Sequence, residues 1–245
     1  MERPLLSLQS VSKSFGAVQA LDKVDFELMP GEVMALVGDN GAGKSTLIKG
    51  IAGIYPFDEG AIFFNGKQVH IQGPQDAVAL GIEVVYQDLA FANNLDVVAN
   101  MFLGREMINY PFRLDEAGME RTCIETLDSL AVTSLHSVRQ LIAELSGGQR
   151  QAVAVAKAVM WNSHVVIMDE PTAALGVVQT RQVLDLIKRL SHRGLGVVMI
   201  SHNLQDVFAV ADRITVLRLG QRVQVFTTAS TTQQQVVETM TMGSL

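Results

Sequence analysis

Residues 33–52 narrow the possible folds more than any other stretch. A continuous apolar run, Val33-Met34-Ala35-Leu36-Val37, leads into Gly38-Asp39-Asn40-Gly41-Ala42-Gly43-Lys44-Ser45, and Thr46-Leu47-Ile48-Lys49-Gly50-Ile51-Ala52 then reads as a helix. A buried strand, a glycine-rich turn and a helix opening on Lys-Ser make the phosphate-loop pattern G-x-x-x-x-G-K-[ST]. Glycine lets the backbone curl until several N–H groups point into one concavity, where a side chain would bar a phosphate. The helix start aims roughly half a positive charge at the same spot. Asn40, Gly41, Ala42, Gly43 and Thr46 then belong to the phosphate-binding set. Lys44 reaches the β- and γ-phosphates, and the Ser45 hydroxyl meets Mg²⁺. The competing reading, an ordinary glycine-rich turn, fails to account for every motif position being filled between the right flanks.

The chain has 245 residues, 48% of them hydrophobic, which is enough for a sizeable core in one domain. A formal charge of −6 argues against a nucleic-acid binder that works through a broad basic face. Cys123 is the only cysteine, so an internal disulfide is impossible and a reducing compartment is the natural setting. It lies in a helical-looking run and reads as a small packing residue. Met1-Glu2-Arg3-Pro4 leads into a strand pattern, unlike a signal peptide. No apolar run approaches the roughly 18 residues that a membrane span requires. The expected setting is the cytosol, unless another protein holds the chain at a membrane.

In chain order, residues 5–13 and 24–29 alternate and predict antiparallel strands, with Pro30-Gly31 turning into the phosphate-loop strand. Residues 61–65 add a hairpin closed by Asn65-Gly66. A short helix is expected from Pro74, and a buried strand over 83–86 ends at Gln87. From about 88 to 160 the spacing turns helical, at 96–103, 115–130 and 147–160, and strands are hard to find. This predicts a helical subdomain inserted into an α/β core made of about 1–87 and 161–245, all within a single domain. Apolar runs at 165–168 and 197–200 predict central strands covered on both faces. Helices are expected over 177–193 with Gly194 as cap, over 203–211 and over 231–240. A hairpin of 214–218 and 222–227 turns at Gly220, and Gly243-Ser244-Leu245 is expected to fray.

The second half of the site is Val165-Val166-Ile167-Met168-Asp169-Glu170. An apolar strand ending in a carboxylate can set that carboxylate beside the metal of a bound nucleotide. Asp169 would hold Mg²⁺, and Glu170 would orient a water in line with the γ-phosphate. Leu145-Ser146-Gly147-Gly148-Gln149 offers a serine N-cap and another potential anion-binding helix start. Two phosphate-facing helix ends so far apart in the chain suit a head-to-tail pair in which each copy covers the other's nucleotide.

Leu-Ser-Gly-Gly-Gln ahead of a strand ending in Asp-Glu, after a phosphate loop, resembles the ATP-binding cassette (ABC) ATPases over nearly the whole chain. The fold class expected is therefore α/β: a P-loop NTPase core of mainly parallel sheet, an N-terminal antiparallel β subdomain and an inserted α-helical subdomain. The resemblance implies ATP and Mg²⁺ as cofactors. It puts Phe15 where the family stacks an aromatic on adenine, with Val18 near the base. Gln87 would contact Mg²⁺ and link to the membrane partner. Ser146, Gly147, Gly148 and Gln149 would bind the γ-phosphate of ATP held by the other copy. Glu170 would be the catalytic carboxylate and His202, in Ile200-Ser201-His202, the switch histidine on the γ-phosphate. Lys44 completes the hydrolytic set, with Ser45, Gln87 and Asp169 on the metal.

Two positions depart from the family pattern: Gly176 stands where an aspartate is usual, and Lys157 where arginine is commoner. Pro171-Thr172-Ala173-Ala174-Leu175-Gly176-Val177, Tyr86-Gln87-Asp88-Leu89 and Ser201-His202-Asn203-Leu204-Gln205-Asp206-Val207-Phe208 are similar to the monosaccharide-importer branch, of the ribose, xylose and fructose type. That branch implies an ATPase working with a second copy of itself or a homologous cassette, with transmembrane permease subunits, and indirectly with a sugar-binding protein. Its place would be the cytoplasmic face of the inner membrane, peripheral through the permease. Alternatives are an importer subunit for another small solute, a soluble cassette acting on DNA or ribosomes, and a non-hydrolysing sensor. The gap before Leu145 is too short for a chromosome-type coiled coil, and no second cassette or basic linker is present. No nucleic-acid partner is expected, and Glu170 with His202 disfavours the sensor.

Overall fold

In the computed structural model, which describes residues 3–110 and 112–242, β1 (Leu6–Phe15) and β2 (Val18–Leu28) form an antiparallel hairpin. The sequence predicts the second strand only from residue 24. The difference has a local cause: the pairing slips at several points, and Ser10 and Lys23 take left-handed conformations with φ of 49° and 47°. Such bulges shift inward-facing residues off a period of two and hide the strand from a pattern reading. β3 (Val33–Val37) and α1 (Lys44–Ile51) follow on either side of the glycine loop. β4 (Glu59–Phe64) and β5 (Lys67–Val69) turn through Asn65 and Gly66, both at positive φ, and complete a sheet in the order β2-β1-β4-β5.

α2 (Pro74–Ala79) opens on its proline, and β6 (Ile82–Val85) follows. The next part of the chain carries α3 (Val97–Phe102), α4 (Glu116–Ser129) and α5 (Gly147–Val159). It also holds a small hairpin of β7 (Ile108–Asn109) and β8 (Arg113–Leu114), where the helical spacing gives no hint of strands. Two residues per strand are too few to set up an alternation. The α/β pattern then resumes with β9 (Val165–Asp169), α6 (Val177–His192) and β10 (Gly196–Ile200). The α6 cap is Arg193, and Gly194, expected as the cap, is the residue just beyond it at φ 90°, where its left-handed conformation ends the helix. α7 (Leu204–Val210), β11 (Arg213–Arg218), β12 (Gln221–Thr227) and α8 (Gln233–Met242) close the described chain. The expected fraying of residues 243–245, and the reading of Met1-Glu2, lie outside the described residues.

The larger sheet has the order β12-β11-β3-β10-β9-β6, parallel throughout except for β12. Alternation along its strands sorts side chains onto two faces. Val33, Ala35, Val37, Val166, Met168, Val197 and Met199 join one core with residues of α3 to α8. Met34, Leu36, Val165, Ile167, Val198 and Ile200 join the other, with α1, α2 and the antiparallel sheet. Burial on both faces explains the unbroken apolar runs. The outcome is the expected α/β class with a mainly parallel sheet.

Candidate functional site

Four parallel strands end side by side. In the order β3-β10-β9-β6, Ile200 lies opposite Leu36 on one flank and Asp169 on the other, while Val85 lies opposite Met168. Gly38, Ser201-His202, Asp169-Glu170 and Tyr86-Gln87 therefore leave the sheet along one carboxyl edge. In open α/β sheets this edge is where ligands bind.

The glycine loop is held tightly. Gly38 has φ 153°, and a Cβ there would sit 2.2 Å from the carbonyl oxygen of Leu217, so no other residue fits. Ala42 N–H donates to Asp39 O at 3.1 Å, and Gly220 N–H donates to Ala42 O at 3.1 Å, tying the loop to the β11–β12 turn. Lys44 folds back over its own loop, and its ammonium donates to Gly38 O at 2.7 Å and Asp39 O at 3.0 Å. Burial pulls the Lys44 pKa below its usual value, against Glu170, Asp169 and Asp39, which pull it up. Burial raises that of Asp169, with Glu170 adding to the rise and Lys44 and Lys49 opposing it. Burial also raises that of Tyr86, and Asp169 adds to it.

Ser45, on the exposed start of α1, and Asp169 offer oxygen donors beside Lys44, and exposed Gln87 follows Tyr86. No group of three His, Cys, Asp or Glu side chains is assembled among the described residues. That donor set suits Mg²⁺, which takes one or two carboxylates plus substrate phosphates in place of a protein cage.

Glu170 adopts φ 50°, an uncommon conformation for a non-glycine residue, just after the strand end. Its N–H donates to Ile200 O at 3.0 Å, and its Oε2 lies 2.9 Å from Nδ1 of His202. The carboxylate is 16% exposed and the imidazole 77%, so the histidine faces outward from a sheltered acid. Beneath them the Thr172 hydroxyl donates to Asp206 Oδ2 at 2.7 Å in a buried contact. That bond ties the loop after Glu170 to the helix after His202. Sequence alone does not mark Thr172 and Asp206 as partners, since they stand 34 residues apart in different segments.

Phe15 is 48% exposed and Val18 67% exposed, facing each other across the β1–β2 turn. The Phe15 ring meets Tyr55 edge to face, and the Tyr55 hydroxyl donates to Thr46 O on α1 at 3.2 Å. Phe15 is thereby connected to the helix that opens with Lys44.

Ser146, Gly147, Gly148 and Gln149 sit elsewhere. Ser146 caps α5, accepting from Gln149 N–H at 3.3 Å while its own N–H donates to Gln149 Oε1 at 2.8 Å. Gln149 Nε2 donates to Ser134 O, so both ends of this side chain are engaged inside the protein. A Cβ on Gly147 would approach Leu175 Cδ2 to 3.0 Å, and one on Gly148 would come within 2.8 Å of Gln179 Cβ. This helix start thus packs against Leu175, Gln179 and Ser134, and the phosphate loop against Leu217, Ala20, Leu21 and Gly220. Gly176 caps α6 without a side chain, and Gln179 Oε1 fills the space, 2.6 Å from where a Cβ would stand. Lys157, the other departure, is half-buried near Arg105 and Glu83, and burial is the main cause of its lowered pKa.

Known proteins resemble this chain in sequence and in fold. The ABC transporter family model matches residues 21–173. The fructose import ATP-binding protein FrcA of Rhizobium meliloti is 48% identical, over 98% of this chain and 95% of its own length. The xylose/arabinose import ATP-binding protein XylG of Sulfolobus acidocaldarius is 47% identical, over 98% and 95%. Among solved structures, the ADP conformation of an ATP-binding cassette of an ABC transporter superposes with a TM-score of 0.83 at 25% identity, covering 98% of this chain and 96% of that one. The phosphate loop, the acid-ended strand and the Leu-Ser-Gly-Gly-Gln helix thus sit in the fold of a known group, and this chain belongs to the ABC transporter family.

Proposed function

We propose that this chain is the ATP-hydrolysing subunit of an ABC importer for a monosaccharide, working as a pair on a membrane permease. The observation that carries the ATPase reading is the Glu170–His202 contact at 2.9 Å, beside Lys44 and Asp169 on one sheet edge. Lys44 would exchange its two loop carbonyls for the β- and γ-phosphates, and the N–H groups at the start of α1 would cradle them. Ser45, Asp169 and Gln87 would hold Mg²⁺, which when bound would offset phosphate charge. Glu170 orients the attacking water from its sheltered position, and His202 holds that carboxylate and reaches toward the γ-phosphate. Phe15 stacks on the base, with Val18 beside it.

The second half of each site comes from another copy. The start of α5 packs on Leu175 and Gln179, and the phosphate loop on Ala20, Leu21, Leu217 and Gly220, which favours Ser146 and the N–H groups of Gly147 and Gly148 acting on the partner's γ-phosphate. Gln149 serves there as the brace that holds the cap, since its amide is already engaged. Closure around two ATP would move the helical subdomain, about residues 88–160, together with a permease docked near Gln87. Sugar as the cargo rests on the similarity to the fructose and xylose/arabinose import proteins. The subunit would lie at the cytoplasmic face, held there by the permease, with a sugar-binding protein outside. No helix among the described residues is long and apolar enough to cross a membrane.

The test is Glu170→Gln in the full chain. It should bind ATP, lose at least about a hundredfold in turnover and persist as a dimer in light scattering. Wild-type turnover, or a variant that stays monomeric with ATP bound, would contradict the role given to Glu170. Lys44→Ala, expected to bind ATP weakly, is the companion control.

A further inference from the structure

Lys13, Phe15, Tyr55 and Asp58 form a compact cluster that no motif announces. Lys13 and Phe15 are two residues apart on β1 and so project to the same side. Tyr55 and Asp58 come from the connection between α1 and β4. The Phe15 and Tyr55 rings meet at 5.2 Å between centroids and 82° between planes, an edge-to-face pair. The Lys13 ammonium lies 5.7 Å from the Phe15 ring centre and 5.4 Å from that of Tyr55. Asp58 holds this ammonium at 2.6 Å and also accepts Ser14 N–H at 2.7 Å, which pins the backbone just before Phe15. Lys13 is 9% exposed, so its charge is sheltered and its cation–π contacts are only weakly screened. The Tyr55 hydroxyl closes the chain of contacts, donating to the carbonyl of Thr46 on α1 at 3.2 Å.

We infer that Tyr55 is a positioning residue for the base: it orients the exposed Phe15 ring and fastens it to the helix that binds the phosphates. The two ends of the nucleotide site are thereby built as one rigid piece. A ring left on a free hairpin end would have to be ordered by each incoming base, and that ordering would weaken binding. Lys13 and Asp58 support the same ring from below. This inference rests on the ATP reading above, and it concerns only the base end of that site.

The experiment compares ATP with inorganic tripolyphosphate, which has the phosphates and no base. Affinities for both are measured by calorimetry on the wild type, Tyr55→Phe and Tyr55→Leu. Tyr55→Leu should weaken ATP roughly five- to tenfold, the scale of a lost aromatic pair, and leave tripolyphosphate unchanged. Tyr55→Phe keeps the ring and loses the tether, so its ATP affinity should fall between the other two. Equal weakening of both ligands in either variant would make Tyr55 a mere support of α1 and overturn the inference, as would unchanged ATP affinity in Tyr55→Leu. Failure of the ATP reading itself shows differently: the wild type would bind both ligands equally, or neither.

Discussion

Cys123 shows how far a single side chain can be read from its surroundings. It is fully buried on α4, with its thiol donating to Met101 Sδ at 3.2 Å. Burial, with Asp96 and Glu120 adding to it and Arg139 opposing, pushes its pKa up to about 12. The thiolate is the reactive form, so this is a packing residue, as the sequence suggests. Iodoacetamide at about pH 8.5 should leave the native protein unlabelled and modify it once urea unfolds it. Rapid native labelling would place the thiol at the surface. The linkage has a definite sign. An unfolded cysteine ionises near about 8.5. The stability held by the neutral thiol is therefore complete below that pH and is lost as pH rises toward the folded value of about 12. Cys123→Ala should lower stability at neutral pH by leaving a cavity, yet show a shallower decline above about pH 8.5 in urea melts.

At the level of elements, α5 and α6 meet without room for a methyl group. Gly148→Ala would set its Cβ 2.8 Å from both Cβ and Cγ of Gln179. It should cost about 1–3 kcal/mol in urea denaturation. Gln179→Ala should not restore the loss, because its Cβ remains, whereas Gln179→Gly should restore part of it. Full rescue by Gln179→Ala would mean that only the far end of the side chain matters. What was legible beforehand follows from the same local physics. The central strands announce themselves because burial on two faces demands uninterrupted apolar residues, as in Val165 to Met168. The glycine loop and Asp169-Glu170 stand out in the sequence because the chemistry proposed for them needs neighbours in sequence. β2 before Val24 was hidden by bulges, and β7 with β8 by shortness. Tyr55 escaped because its significance lies in the company of Lys13 and Phe15, which only the antiparallel sheet brings near. Gln179 escaped because nothing marks a glutamine in the first turn of a helix until the glycine opposite it is seen.

For the whole molecule, the proposed pairing makes turnover a property of concentration. ATP hydrolysis per chain should rise with protein concentration and level off as dimers dominate, with light scattering following the same curve. A rate per chain that stays constant while the protein remains monomeric would end the shared-site reading. The strand order also sets the width of this site. β10 runs between β3 and β9, so two inter-strand spacings, about 10 Å in all, separate the strand that feeds Lys44 from the one that ends in Asp169. That width is written in backbone ladders. Substitutions can retune charge at either bank, but the span of the crossing will hold unless an entire strand is gained or lost.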